Sequence, residues 1–238
     1  MYFVLCLLLL MGVPVVNSQD IIYKTSGTVE FYNDKNEKIN LKEGDVIGSG
    51  YSIITSSNSE AQLLLENKSM VFLFENTKFI LKREEKIKDN SSFLDFIFGV
   101  KNLNAEENSL LEKSYNYLIG KATFFINKMS KEYKVKTPQA VCGVRGTNFS
   151  IISDEEHSEI GLFKGLVDIE KDGEVKTLKP GQSAYITKIE IKIQHRLSTI
   201  MMREKQRAKK LEKYFENVRK KLEERDKKIK EKIEKRQS

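Results

Sequence analysis

Between Ile21 and Ile80 the chain offers β-forming residues only in short bursts, each closed by a turn signal, and this rhythm restricts it to a body made of strands. Thr28-Val29-Glu30-Phe31-Tyr32 runs into the polar stretch Asn33 to Asn36. Ile39 and Leu41 alternate with polar residues up to Glu43-Gly44-Asp45, and Val46-Ile47 leads to Gly48-Ser49-Gly50. Ser52 to Thr55 ends at Ser56 to Ser59, and Ala61, Leu63 and Leu65 then alternate with their neighbours. Asn67-Lys68-Ser69 turns the chain into Met70 to Phe74. Strands of about five residues with turns every ~8–12 residues define an all-β body. Apolar residues make up 39% and charged residues 32%, so the chain is neither membrane-embedded throughout nor disordered throughout.

The pattern changes from Lys82 to about Leu118. Asp89-Asn90-Ser91-Ser92 supplies N-cap residues ahead of Phe93, Leu94, Phe96, Ile97 and Val100, and Leu110, Leu111, Tyr115 and Leu118 follow at helical spacing. A helical insertion over about 83–118 is predicted. Strands resume at Ala122 to Ile126, Tyr133 to Val135, Phe149 to Ile152, Glu159 to Phe163, Leu166 to Ile169 and Ser183 to Ile186. One stretch repeats. Gly27-Thr-Val-Glu-Phe passes through a polar turn to Leu41-Lys-Glu-Gly44-Asp45, and Gly165-Leu-Val-Asp-Ile passes through Asp172-Gly173 to Leu178-Lys-Pro-Gly181-Gln182. Both read as strand, hairpin, strand, tight turn. The expected fold is mainly β: a stacked or rolled sheet, solenoid-like or sandwich-like, with the helical insertion and a long C-terminal α-helix.

Two appendages flank this body. Tyr2 to Val16 is apolar, contains Pro14 and ends at Val16-Asn17-Ser18. A spanning helix needs about 20 apolar residues, and small residues at −3 and −1 fit signal-peptidase cleavage after Ser18. The expectation is a signal peptide over 1–18, a mature terminus at Gln19 and a periplasmic or envelope location. No Lys or Arg precedes the run, so retention as an anchor is the alternative. Cleavage would also remove Cys6 and leave Cys142 without an intramolecular partner. Cys142 reads as a small buried side chain.

The net charge of +7 belongs to the other end. Gln194 to Ser238 holds 17 Lys and Arg against 8 Asp and Glu, so the remaining 193 residues are slightly acidic. Leu197, Met201, Ala208, Leu211, Phe215, Val218, Leu222 and Ile229 fall in steps of three and four, with Glu204 and Arg225 interrupting the seam. The domain 194–238 is a basic helix with three readings. Its stripe packs on the β domain 19–193. Or Leu211, Phe215, Val218 and Leu222 bind a protein partner as a coiled coil. Or its cations meet anionic lipid. Nucleic acid is not expected in vivo, although such a tail would bind it by counterion release.

Catalysis finds no foothold. His157 lies in the polar turn Asp154 to His157, and His195 opens the basic tail. No metal-ligand spacing, phosphate loop or nucleophile elbow occurs, so a non-enzymatic protein without cofactor is expected.

The segment Thr137-Pro138-Gln-Ala-Val-Cys-Gly143-Val144-Arg145-Gly146-Thr147-Asn-Phe149 resembles the signature of the FecR domain family. That family is marked by Thr-Pro, a small residue, then Gly-Val-Arg-Gly-Thr with an aromatic two positions on. Glu43-Gly44-Asp45, Gly120-Lys-Ala-Thr-Phe, Gly165-Leu-Val and Leu178-Lys-Pro-Gly181-Gln182 resemble its other elements in order, so the likeness covers about Ile21 to Thr187. The resemblance implies an envelope location, a β fold and contacts with other macromolecules. Well-known members are sigma-factor regulators with a cytosolic segment and a membrane helix ahead of the domain. Here the domain is expected to follow the signal directly, so that mechanism is not carried over whole. Within the motif, Arg145 is expected to pin neighbouring turns through carbonyls or a carboxylate such as Asp45 or Asp168. The alternative is capture of an anionic envelope saccharide or phosphate by glycine-flanked amides.

Overall fold

The computed structural model describes residues 19–65, 68–86, 112–127 and 133–237. The strand rhythm is realised as β1 (Ile21–Ser26), β2 (Val29–Tyr32), β3 (Lys38–Ile39), β4 (Ser52–Thr55), β5 (Glu60–Leu64), β6 (Met70–Leu73) and β7 (Thr77–Lys86). There follow β8 (Glu112–Phe125), β9 (Tyr133–Lys136), β10 (Val141–Ser153), β11 (His157–Lys171), β12 (Glu174–Leu178), β13 (Ser183–Thr187), β14 (Ile191–Gln194) and the helix α1 (Thr199–Gln237). All the strands belong to one hydrogen-bonded sheet, whose main path runs β14-β13-β11-β10-β9-β8-β7-β4-β2-β3 without closing. Pairing is antiparallel except for a short parallel contact between β8 and β9.

Three long strands organise this sheet, and each changes neighbours at a glycine. Before Gly120, β8 pairs with β7; after it, with β6 on one side and β10 on the other. The first half of β10 pairs with β9 and the second with β8. The first half of β11 pairs with β13 and the second with β12. The hinge glycines Gly120, Gly146 and Gly165 all have positive φ, at 113°, 59° and 90°. A Cβ at Gly120 would lie 2.5 Å from Thr77 Cα, and one at Gly165 2.6 Å from the Gly146 carbonyl oxygen. Only glycine serves where positive φ and backbone contact coincide.

Bending folds the β10–β11 hairpin back on itself. The turn before β10 thereby reaches the turn after it: Gln139 Nε2 donates to the Asp154 carbonyl at 3.1 Å, and the Ser158 hydroxyl donates to Gln139 Oε1. Cys142 and Val144 from one half then share a core with Phe149 and Ile151 from the other, joined by Ile160, Leu162, Val167 and Ile169 from β11. Phe124 and Phe149 stack at the centre with centroids 4.7 Å apart.

The repeat noticed in the sequence is a repeat of geometry. Gly44 N–H donates to the Ile22 carbonyl and Ile22 N–H to that of Asp45; Gly181 N–H donates to the Leu162 carbonyl and Leu162 N–H to that of Gln182. In each copy the side chain after the glycine also closes its own turn, Asp45 on Lys42 N–H and Gln182 on Lys179 N–H.

The helical insertion is corrected where it is described. Lys82–Lys86 and Glu112–Leu118 are strand, with Arg83 opposite Tyr115 and Lys86 opposite Glu112. Asn116 and Leu118 point inward while Tyr117 and Ile119 are half-buried, which is period two. A short apolar window fits either period, and a cross-strand partner decides between them. Residues 87–111, with Phe93 to Val100, Leu110 and Leu111, lie outside the described residues. So does the apolar segment 1–18.

Candidate functional site

The motif residues form one continuous device. Thr137 to Ala140 is the turn between β9 and β10, closed by Thr137 N–H to the Ala140 carbonyl at 2.9 Å. The Thr137 hydroxyl accepts from Ala140 N–H at 3.2 Å, and Pro138 sets the turn's φ. Gly143 and Val144 continue in extended strand, with Val144 in the core. Gly146 and Thr147 then stand opposite the single residue Gly165, because Arg145 pairs with Leu166 and Asn148 with Lys164. Two residues against one, the first a glycine in the left-handed region, is a G1-type bulge. Its extra residue switches the inward-facing set from Cys142 and Val144 to Phe149 and Ile151. The Thr147 carbonyl accepts from Ile126 N–H at 2.9 Å, joining the bulge to the end of β8, and the Thr147 hydroxyl is buried without a partner among the described residues.

Arg145 is the residue this device leaves outside. It is exposed on the outer face of the first half of β10, and no hydrogen bond or ion pair involves it among the described residues. The expected pin is therefore corrected. Asp45 is occupied by Lys42 N–H, and Asp168 accepts from the Thr177 hydroxyl at 2.6 Å. The physical reason is the bulge: glycine conformation is spent on bending the strand, and the residue before the bend points to solvent. Leu166 directly across from Arg145 is 55% exposed, and Val175 on the neighbouring β12 is 60% exposed. By strand parity Arg145, Leu166, Asp168, Val175 and Thr177 thus share the outer sheet face.

The opposite side of the bulge is covered by α1. Ser198 caps the helix, its hydroxyl accepting from Met201 N–H at 3.1 Å. Met201 fits against Gly161, where a Cβ would lie 2.7 Å from its sulfur. Ala208, Val218 and the half-buried Leu211, Phe215 and Leu222 cover Leu64, Met70, Phe72, Phe74 and Phe125. The rings of Phe215 and Phe125 are 5.7 Å apart. Leu211, Phe215, Val218 and Leu222, read from the sequence as packing on the β domain or as binding a partner, pack on the chain's own sheet. Glu204, which interrupts the sequence stripe, is buried and holds Lys121 at 2.9 Å and Arg207 at 3.1 Å. Arg207 also stacks on the Phe74 ring at 4.7 Å. A carboxylate inside an otherwise apolar seam was the sequence signal for this latch; its partner on β8 had none.

Between helix and bulge lies a mixed-charge cleft of about 230 Å³, lined by Lys68, Lys164 and Arg219 as well as Glu212 and Glu216. Asn148 crosses it, donating to Glu212 at 2.8 Å. The titratable groups elsewhere behave structurally. Burial pushes the Cys142 thiol up to about 12, which removes the thiolate needed for reactivity. His157 packs on Tyr185 and contacts Asp154 at 3.0 Å in the β10–β11 turn. Backbone N–H groups of His157 and Glu156 hold the Asp154 carboxyl below its usual range. No group of metal-ligating side chains occurs among the described residues, and none of the described helices is long and apolar enough to cross a membrane.

Residues 51–168 match the family model described as FecR protein, so the chain contains a FecR domain. Two crystal structures of a candidate anti-sigma factor from Parabacteroides distasonis are similar at 18% identity, with TM-scores of 0.43 and 0.44. The alignment covers 60% of this chain and 58% of that protein, so the chain spans little more than half of its length. A search of curated proteins finds no match.

Proposed function

We propose that this chain is a non-enzymatic interaction module of the bacterial cell envelope that docks another protein through the outer face of β10, β11 and β12. The observation that carries the reading is Arg145. It stands exposed across from the exposed Leu166, with no bond among the described residues, while the rest of its motif is consumed in building the bend that presents it. An exposed arginine directly across from the exposed Leu166 suits a protein interface, where arginine is enriched. Small-ligand pockets are concave, and Arg145 borders none of the clefts described, which favours protein docking over the saccharide or phosphate reading. The envelope location is supported by the FecR domain and by the apolar segment ending at Val16-Asn17-Ser18. Asp20 is already buried and paired with Lys82 at 2.9 Å, so cleavage after Ser18 would leave the folded body whole.

Photo-crosslinking groups placed at Leu166 and Val175, and at the distant Lys35 as control, test the docking face in cells. The expected result is one discrete protein adduct from the first two positions that is lost in the Arg145→Glu background. Equal yields from all three positions would remove the proposal. A rise in melting temperature with inorganic phosphate or peptidoglycan fragments, lost in Arg145→Ala, would replace it with the ligand reading. N-terminal sequencing of protein from native envelopes tests export separately, with Gln19 expected and Met1 indicating an anchor.

A further inference from the structure

The helix sorts its charges. Between Arg203 and Lys221 the carboxylates are turned toward the body: Glu204 to Lys121 and Glu212 to Asn148, with Glu216 beside the cleft. Arg203, Lys209, Lys210, Lys213, Lys220 and Lys221 are all exposed and, at 100° per residue, lie on the side opposite Met201, Ala208 and Phe215. Among the described side chains, no carboxylate interrupts that outward row. It extends over about 27 Å of helix. Ile200 and Met202 are about half exposed at its start, at 49% and 51%.

We infer that this outward face of α1 is a docking surface for an anionic lipid bilayer. Charge complementarity is the first ground, since juxtamembrane rows of lysine bind acidic headgroups. Residue type is the second. Five of the six cations are lysine, a hydrated point charge without the planar fork that recognises a particular carboxylate, and this suits a diffuse field of headgroups better than an acidic protein site. Geometry is the third. The row is one-sided, and the apolar seam behind it is occupied by the chain's own sheet, so contact is peripheral and the helix need not leave the body. Met202, half exposed within the row, gives shallow apolar anchorage at one end. The inference rests on the envelope location proposed above but not on the Arg145 face, from which these side chains are separate.

The test is co-flotation of the full chain with vesicles of phosphatidylglycerol and phosphatidylethanolamine at 3:7, against phosphatidylcholine alone. Any contribution of the apolar residues 2–16 is common to both kinds, so the difference between compositions reads the helix. That difference is expected to fall about tenfold as salt contracts the Debye length from about 10 Å to about 3 Å. Lys209→Glu, Lys210→Glu and Lys213→Glu together should abolish it with helicity unchanged. Lys24→Glu, Lys35→Glu and Lys78→Glu together, an equal charge change on the body, should not. Equal binding to both vesicle types, retention by the helix triple variant, or equal loss in the body triple variant would each overturn the inference. Capture by poly-glutamate without binding to anionic vesicles would also overturn it, in favour of an acidic protein partner.

Discussion

The interior of the bent sheet and the seam beneath the helix both bury apolar side chains, and they do so under different constraints. In the interior, Phe79, Phe124, Phe149, Ile151 and Ile160 have no solvent exposure, and the backbone that carries them is fixed by glycines whose neighbours leave no space. In the seam, Leu211, Phe215 and Leu222 are only partly covered, and an ionic latch at Glu204 replaces one apolar position. The interior tolerates one backbone path. The seam is a side-chain contact between two elements that are each complete in their own hydrogen bonds. The difference teaches where cooperativity should stop: loss of an interior residue should be felt by the whole β body, and loss of a seam residue by the helix alone.

The strongest way to break that contrast is at a bend. Gly165→Val combines a β-branched residue at positive φ with overlap of the Gly146 carbonyl, and should cost about 3 kcal/mol or more. Gly173→Ala also has positive φ but meets open space, and should cost about 1 kcal/mol. Chemical denaturation of both variants measures the gap, and equal costs would mean that the bend is not fixed by close approach.

A smaller effect is expected in the seam. Phe215→Ser with Leu222→Ser should detach α1, lowering helicity and amide protection across Thr199–Gln237, while protection of β8, β10 and β11 persists. Uniform loss of protection would merge the two regions into one cooperative unit. Glu204 offers the complementary probe. Its partners Lys121 and Arg207 are partly exposed and can rehydrate, so Glu204→Gln should weaken docking by only about 1–2 kcal/mol.

Arg145→Ala and Arg145→Lys should leave stability unchanged within about 0.5 kcal/mol, because the side chain is exposed and makes no bond that the fold depends on. Acid titration should show the smallest effect. Asp154 has a depressed folded pKa, so its contribution is present above the unfolded carboxylate value of about 3.9 and is lost as pH falls through the folded one. The carboxyl is exposed to solvent, so only a slight loss is expected below about pH 4. Asp154→Ala should remove that increment from the unfolding midpoint measured against pH.

Much of the β rhythm was legible because period-two alternation and turn residues are local properties. Val29–Tyr32, Ser52–Thr55 and Met70–Leu73 form where Phe31, Ile53 and Val71 sit between turn signals. The twin turns at Gly44-Asp45 and Gly181-Gln182 were legible for the same reason. The start of β8 was not, because Leu111, Tyr115 and Leu118 are spaced as on a helix, and β7 as the partner that imposes strand lies beyond any local window. Arg145 was misjudged for a related reason. A guanidinium between two glycines resembles a turn pin, but Gly143 is ordinary strand and Gly146 alone adopts positive φ. The direction Arg145 points depends on how many residues face Gly165, a property of pairing rather than of composition. The stripe on α1 was correctly spaced, and its destination followed from which face of β6 and β8 remained uncovered.

The exchange of neighbours at Gly120, Gly146 and Gly165 also sets a timetable. Neither β8 nor β10 can complete its ladder until segments distant in sequence have arrived, such as Met70 opposite Phe125 and Phe124 opposite Phe149. Contacts of such high sequence separation slow folding, because loop closure must precede the stabilising pairings. A chain synthesised from its N-terminus therefore cannot lock its core before Ile160 and Val167 have been made. Delay of this kind keeps a polypeptide threadable, and the proposed passage across a membrane requires that property before the fold forms on the far side.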